Sequence, residues 1–174
     1  MKMRCDRPVV LISSCLLGLK CNYKAETSSA WQKGFFASVK KLVDAGVVLV
    51  PICPEQMGGM TTPRVPSELQ GSAAEIFAGK GRILNRDGAD VTDNFLKGAR
   101  EAAYLAGIFS AKAAILKSKS PSCGISGIYD GTFAERLIDG RGMTAQALFD
   151  MGVRLLDEKD FESAEEIERL LSKL

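Results

Sequence analysis

The sequence predicts a single α/β domain in which helices flank a parallel, Rossmann-like sheet, with one loop-rich insertion. Three observations predict this fold class. Short apolar runs typical of buried strands alternate with longer segments of helical periodicity, as in parallel sheets wrapped by helices. The length of 174 residues suits one domain. No internal repeat, low-complexity segment or linker divides residues 1–174.

The first half of the chain predicts two buried strands joined by a helix. The strands are the aliphatic runs at 9–12 and 47–52. Between them, apolar residues near helical spacing predict one continuous helix over 31–45, which Gly46 ends.

Residues 56–88 are predicted to form the irregular insertion, because glycine and proline recur throughout this segment. Within the insertion, the segments 74–78 and 82–85 flank Gly79 and Gly81 and are predicted to pair as a small hairpin. Long irregular stretches in compact domains are usually functional, so we expect this insertion to have a functional role.

The second half of the chain repeats the alternation of helix and strand. The predicted helices lie at 93–109, 144–151 and 161–173, and the predicted strands at 111–116, 128–131 and 153–156. Thr92 and Thr144 are expected to cap the first two helices. Ser163 and Glu166 form a capping-box pattern for the last helix.

Composition and charge exclude several classes of partner. A net charge of +2 gives no strong field for a nucleic acid polymer or an acidic membrane surface. The sequence contains no run of about 18 apolar residues, so it predicts no membrane helix. The apolar segment after the basic start is too short for a signal peptide. We therefore expect a cytoplasmic protein that acts on a small molecule, and its oligomeric state stays open.

The cysteine and histidine counts direct attention to thiol chemistry. Five cysteines are an odd number, and cytoplasmic thiols are normally reduced, so a complete disulfide framework is not expected. The absence of histidine removes Ser-His and Cys-His catalytic pairs and every zinc site that contains histidine. Thiolate and carboxylate ligands remain, and an all-thiolate site favours an iron–sulfur cluster or zinc.

Cys15, Cys53 and Cys123 share one kind of position. Each follows a short apolar run and lies beside serine, proline or glycine. Ligands bind at the carboxyl ends of the strands in parallel α/β sheets, so we expect these three thiols to converge. Three thiolates around a [4Fe-4S] cluster would leave one iron open for substrate. Such a cluster can be absent or replaced in an aerobic preparation.

Glu55 and Ser120 are the candidate catalytic residues. Glu55 follows Cys53 by two residues, and beside a crevice of low dielectric its pKa could rise towards neutrality. In a chain without histidine, this carboxylate is the obvious general base, although a solvated surface position is the ordinary fate of glutamate. Ser120 precedes Cys123 by three residues and could bond a substrate or a water, or only cap the loop.

Other polar and small residues near these strand ends are candidates for substrate binding. Ser14 and Ser122 are weaker versions of Ser120, and Gly58 with Gly59 could let the backbone approach a ligand closely or could form only a turn.

Two cations are interpreted as structural. Arg64 is expected to clamp a carboxylate of the fold, for which Glu68 is a candidate close in sequence, and Lys117 is expected at a solvated edge.

Several short blocks occur together in one order, and they carry a resemblance. The sequence resembles a bacterial family, long filed as a domain of unknown function, whose characterised members are thiouracil desulfidases. The resemblance covers about 9–156 and leaves the last predicted helix outside. The loop at 21–25 reads Cys-Asn-Tyr-Lys-Ala where a Cys-Arg-Tyr-Asp-Gly type is expected. The blocks lie at 13–18, 53–55, 58–59, 62–64, 90–92, 116–117, 120–124 and 129–133.

The resemblance implies a site and a reaction. It implies an oxygen-sensitive [4Fe-4S] cluster held by Cys15, Cys53 and Cys123, with the family's catalytic glutamate and serine at Glu55 and Ser120. The implied reaction converts 2-thiouracil to uracil and sulfide, with the cluster acting as a Lewis acid and not as an electron carrier.

Two other interpretations of the same thiols stay open. Cys21 could be a fourth ligand, which would close the metal site and make the protein a structural or regulatory module. Alternatively, Cys15 could form a redox pair with Cys53 or Cys123. The position of the Cys21 thiol distinguishes the closed four-cysteine site from an open catalytic site. The simplest expectation for Cys21 is a loop thiol.

Overall fold

The computed structural model describes residues 7–161 together with Arg169 and Ser172. The strands are β1 (Val9–Ser13), β2 (Val48–Ile52), β3 (Ser67–Gln70), β4 (Arg82–Asn85), β5 (Ala113–Leu116), β6 (Ile128–Tyr129), β7 (Leu137–Ile138) and β8 (Arg154–Asp157). The α-helices are α1 (Ser29–Gln32), α2 (Phe36–Asp44), α3 (Pro54–Met57), α4 (Ala73–Phe77), α5 (Thr92–Phe109) and α6 (Met143–Asp150). Short 3-10 turns follow β1 and β8, at Ser14–Leu17 and Glu158–Phe161.

Parallel pairing joins four strands into the central sheet, in the order β2–β1–β5–β8. β1 is parallel to β2 on one side and to β5 on the other, and β5 is parallel to β8. This arrangement confirms the predicted parallel α/β fold with flanking helices.

Both faces of β1 are covered, which explains its continuous apolar sequence. Successive side chains of a strand point to opposite faces. Val10 and Ile12 pack in the core that contains residues of α2, whereas Leu11 packs in the core formed with α5 and α6. All five residues of β1 are buried. Full burial of each large aliphatic side chain contributes about 1.5–3 kcal/mol.

The insertion forms a small layer of its own and differs from the predicted hairpin. β3 and β4 pair antiparallel, with Leu69 opposite Ile83, and α4 lies between them in sequence. The prediction that 74–78 is a strand is wrong, because Ser72 and Glu75 form a capping box that starts α4. Phe95 of α5 packs against this layer and anchors it to the rest of the domain.

The predicted helix at 31–45 is two helices, α1 and α2. Gly34 lies between them with φ of +96°, a backbone conformation that interrupts a right-handed helix. β2 is also less buried than predicted, because it is an edge strand of the sheet and Pro51 is exposed on it. Proline is tolerated at edges, where its missing N–H removes no ladder bond.

The two threonines predicted as N-caps lie inside their helices. Val91 precedes α5 and Gly142 precedes α6. The hydroxyl of Thr92 instead accepts a hydrogen bond from the Ile83 N–H at 2.8 Å, which ties α5 to β4. The final helix predicted at 161–173 lies outside the described residues, as does Cys5. In the described part of the chain, no helix is long and apolar enough to span a membrane.

α3 and α5 touch backbone to backbone at two glycines. A Cβ atom added to Gly98 would lie 1.9 Å from the Pro54 carbonyl oxygen, and one added to Gly58 would lie 2.0 Å from the Asn94 carbonyl oxygen. Neither contact leaves room for a side chain. The position of α3 therefore depends on both glycines.

Gly98→Ala should destabilise the protein, because the new methyl group forces α3 away from α5. Overpacking of this kind costs about 1–3 kcal/mol, and urea unfolding would report it as a lower midpoint. Gly107→Ala is the matched control in the same helix, since its added Cβ meets only Met151 Cε at 3.8 Å. The control should be neutral or stabilising by helix propensity. Equal midpoints for the two variants would contradict this account of α3.

Candidate active site

A cavity of about 330 Å³ opens at the carboxyl ends of β1, β2 and β5. Its location follows from the strand order. After β1, the chain first adds β2 on one side and later β5 on the other, which makes the boundary between β1 and β5 a topological switch point. Loops that leave adjacent strands in different directions leave a crevice between them.

The three thiols predicted to converge all line this cavity. Cys15 lies in the 3-10 turn after β1, Cys53 immediately precedes α3, and Cys123 lies in the loop after β5. Cys21 lines the same cavity. All four are free thiols.

Cys21 lies in the loop after the 3-10 turn, as the sequence suggested, but its side chain is buried beside the other thiols. Its thiol is hydrogen-bonded to the thiols of Cys15 and Cys53. The Cys53 thiol also lies 3.7 Å from the Cys21 carbonyl oxygen, to which it donates. Gly18 is the sequence feature that could have indicated this position of Cys21. It ends the 3-10 turn between Cys15 and Cys21 with φ of +86°, a conformation that favours glycine.

The environments of Cys21, Cys53 and Cys123 disfavour ionisation of their thiols. Burial raises the pKa of Cys123 to about 12, although hydroxyls of Ser13 and Ser122 bond to it and oppose the rise. The hydrogen bond to Cys15 raises the pKa of Cys21 to about 11. The hydrogen bond to Cys21, followed by burial, strongly raises the pKa of Cys53. A bound metal centre would reverse this, because metal ligation deprotonates a thiol.

The chemistry of the donor set fits an iron–sulfur cluster, because Cys thiolates are the usual ligands of such clusters. Cys15, Cys53 and Cys123 line one cavity. In residues 7–161 and the two described residues beyond them, no three Cys, Asp or Glu side chains form a group that could hold a metal ion.

Glu55 lies in the first turn of α3 and lines the cavity, with 14% of its side chain exposed. Arg64 Nε donates a hydrogen bond to Glu55 Oε2 in a buried ion pair. Burial raises the pKa of Glu55, and the positive charge and hydrogen bond of Arg64 oppose that rise. Arg64 thus clamps a carboxylate of the fold, as expected, but this carboxylate is Glu55 and not Glu68. Glu68 Oε2 instead accepts the N–H of Phe133 at 2.9 Å.

Ser120 is held with its hydroxyl oxygen already occupied as an acceptor. Ser120 Oγ accepts the N–H of Cys123 at 3.0 Å and the N–H of Ser122 at 3.2 Å. Its own O–H is therefore the group left to donate into the cavity, which Ser120 lines. Ser120 can therefore both cap the loop through its oxygen and donate its O–H to a ligand, which are the two roles that the sequence suggested.

The predicted substrate-binding residues separate into two groups. Ser14 lines the cavity. Ser122 is buried behind it, where its hydroxyl bonds Thr144 Oγ1 at 2.9 Å. Gly58 and Gly59 are not among the residues that line the cavity, and the close approach at Gly58 is to α5.

A buried carboxylate that the sequence interpretation missed holds the start of the Cys123 loop. Glu158 follows β8, and its Oε1 accepts Lys117 Nζ at 2.7 Å while its Oε2 accepts the Ser118 N–H at 2.6 Å. The predicted solvated edge for Lys117 is wrong, since its ammonium is paired here. Only the pairing of β5 with β8 brings the two segments together.

The rim of the cavity comes from three loops. Tyr23 belongs to the loop whose sequence departs from the family pattern, Arg86 to the insertion, and Tyr129 with Glu135 to the β6–β7 hairpin. Ala25 has φ of +60°, a conformation that favours glycine, at the position where the resemblance expects glycine.

These features define a class of protein: an α/β domain in which thiols, a buried carboxylate and a hydroxyl line one cavity at the carboxyl edge of a parallel sheet. The model of the 2-thiouracil desulfurase family matches residues 10–160, and the chain belongs to this family. The predicted resemblance is therefore confirmed, and the protein is a desulfidase-like enzyme.

Two relatives support this assignment. The uncharacterised protein YbbK of Bacillus subtilis (strain 168) is 37% identical over 153 residues, which cover 87% of this chain and 97% of YbbK. A solved structure of TudS, a [4Fe-4S]-dependent thiouracil desulfidase, is 31% identical and superposes with a TM-score of 0.78. The match covers 97% of this chain and all of that one.

Glu158→Gln should destabilise the protein, because Gln cannot provide a charged partner for Lys117. The loss of charge-assisted hydrogen bonds costs about 1–2 kcal/mol at neutral pH, measurable by urea unfolding. Lys117 lowers the pKa of Glu158 from its usual 4.5 despite the opposing effect of burial. The stabilisation is therefore complete above pH 4.5 and is lost as the pH falls through the lowered folded value, so the deficit of the variant should shrink in acid.

Asp44→Asn provides the control for this comparison. Asp44 pairs with Lys40 at 2.5 Å, but both side chains are about 60% exposed, and exposed pairs contribute little. A deficit for Glu158→Gln no larger than that of Asp44→Asn would contradict a structural role for the buried pair.

Proposed function

We propose that this protein removes sulfur from a thiolated pyrimidine such as 2-thiouracil, giving uracil and sulfide, at a [4Fe-4S] cluster held by Cys15, Cys53 and Cys123. The observation that carries the proposal is that these thiols, Glu55 and Ser120 line one cavity. Membership of the desulfurase family and the likeness to TudS support the choice of reaction.

Each protein group has a role in holding the cofactor or in moving protons. When bound, the cluster would supply a Lewis acid that withdraws electron density from the thiocarbonyl group. Cys15, Cys53 and Cys123 would hold it. The remaining chemistry requires a base that activates water and a donor that orients the substrate.

Glu55 is the base in this proposal. Arg64 occupies Oε2, so Oε1 takes a proton from a water whose oxygen attacks the thiocarbonyl carbon. The new C–O bond replaces the C–S bond. The proton on Glu55 and the second proton of the water leave with the sulfur as hydrogen sulfide, and no electrons enter or leave.

Ser120 orients the substrate in this proposal. Its oxygen is occupied by two backbone N–H groups, so its hydroxyl donates outward to a substrate heteroatom. Ser14, which also lines the cavity, offers a second hydroxyl for the pyrimidine edge.

A second candidate function is a closed four-cysteine metal site with a structural or regulatory role. The observation that favours it is the burial of Cys21 in the same cavity, within hydrogen-bonding distance of Cys15 and Cys53. A closed site has no open position for substrate and would not catalyse.

Replacing the ligands separates these two functions. After anaerobic reconstitution with iron and sulfide, Cys15→Ala, Cys53→Ala and Cys123→Ala should each fail to hold a stable cluster, measured by bound iron and visible absorbance. Cys21→Ser is the matched control and should keep both the cluster and sulfide release from 2-thiouracil. A Cys21→Ser protein that loses its iron would favour the closed site. A wild-type protein with a full cluster that releases no sulfide would exclude this substrate.

Glu55→Gln should keep the cluster and lose turnover, because the amide has the shape of the carboxylate but cannot accept the proton. Removal of a general base typically lowers kcat about 10²–10⁴-fold. The measurement is anaerobic sulfide release at saturating 2-thiouracil, with iron content determined on the same sample. Wild-type turnover by Glu55→Gln would show that another group activates the water.

A further inference from the structure

Arg64 joins three parts of the site that are distant in sequence. Its Nε donates to Glu55 Oε2, its Nη2 donates to the Cys21 carbonyl oxygen at 3.1 Å, and its Nη1 donates to Thr62 Oγ1 at 3.1 Å and to the Thr61 carbonyl oxygen at 3.3 Å. Only 6% of the side chain is exposed. All three nitrogens of the guanidinium thus donate to acceptors of the protein.

We propose that Arg64 is a positioning residue for Glu55: it holds Oε2 and thereby presents Oε1 to the water or substrate in the cavity. The inference rests on the proposed role of Glu55 as base and adds the group that orients it. Among the described residues, the structure gives Glu55 Oε1 no hydrogen bond, whereas Oε2 is bonded to Arg64.

The backbone around Glu55 cannot fix the carboxylate by itself. α3 has four residues, and its first turn sets only where the Glu55 side chain begins. A glutamate has several rotatable side-chain bonds, so its carboxylate needs a partner to stay in one place. A base that is held within reach of the reacting water reacts faster than one that samples many positions.

Arg64 is itself held firmly enough to serve as this partner. Its own N–H donates to the Tyr23 carbonyl oxygen at 2.9 Å, and it lies between Pro63 and Pro66, which restrict the backbone. Lysine could not reproduce the arrangement, because its single ammonium lacks the planar fork that reaches Glu55 and Cys21 together.

A purely structural role makes different predictions. Since Arg64 also binds the Cys21 carbonyl, its loss could loosen the loop that carries Cys21 and thus the thiol group. That role predicts lost iron and lost stability, and its effects should add to those of Glu55→Gln. A positioning role predicts an intact cluster and an effect that depends on Glu55.

The experiment compares Arg64→Gln, Arg64→Lys, Glu55→Gln and the double variant Arg64→Gln/Glu55→Gln, each reconstituted anaerobically. We expect Arg64→Gln to lower kcat for 2-thiouracil about 10–100-fold with little change in KM and with full iron content. Arg64→Lys, which keeps the charge, should also be slower than wild type. The double variant should be no slower than Glu55→Gln alone.

Arg136→Gln is the matched control. Arg136 also pairs with a carboxylate through Nε, at 2.5 Å from Asp130 Oδ2, but 69% of its side chain is exposed and it does not line the cavity. It should turn over like wild type. Three results would each overturn the positioning role. The first is a double variant whose loss of kcat is the product of the two single losses. The others are depleted iron in Arg64→Gln and a wild-type kcat in Arg64→Lys.

Crystal structures of wild type and Arg64→Lys separate this inference from the proposed function. If the wild type holds a full cluster but releases no sulfide, the proposed function fails while the structures still test Arg64. A Glu55 carboxylate displaced in the variant, with the thiols of Cys15, Cys53 and Cys123 in place, supports positioning. An unmoved carboxylate overturns it.

Discussion

Parallel pairing of β1 on both of its edges is the constraint on which the site depends. Because β2 and β5 run in the same direction as β1, all three strands end at the same edge of the sheet. Residues 15, 53 and 123 are far apart in sequence, but the first two come within two positions of the ends of β1 and β2, and the third lies in the loop after β5. The side chains of β1 pack alternately against two helical layers, and the thiols that follow the strand ends line one cavity.

Burial of charge at this edge requires partners, and the domain supplies them from distant segments. Arg64 neutralises Glu55, and Lys117 neutralises Glu158. A buried carboxylate without a partner would be strongly destabilising. Cys53 and Cys123 meet the same requirement differently. The hydrogen bond to Cys21 and burial raise the pKa of Cys53, and burial raises the pKa of Cys123, so the neutral form of both thiols is favoured.

Gly58 and Gly98 explain how α3 is positioned beside the cavity. α3 is too short to be stable alone, and its close contact with α5 at Gly58 and Gly98 sets its position. The loop that carries Arg64 follows α3 directly. The glycines therefore act on Glu55 through the backbone that carries it, and no contact of theirs with a ligand is needed for that effect.

The sequence by itself determined the strand and helix alternation, the family and the strand-end positions of Cys15, Cys53 and Cys123, because these depend on local periodicity and turn residues. It mistook 74–78 for a strand and 31–45 for one helix, where a capping box and a left-handed glycine decided the outcome. Only the tertiary structure decided that Cys21 joins the thiols and which carboxylates pair with Arg64 and Lys117. Such pairings depend on which segments the sheet and its loops bring together. The spacing of residues along the sequence does not determine how far apart two distant segments lie in space.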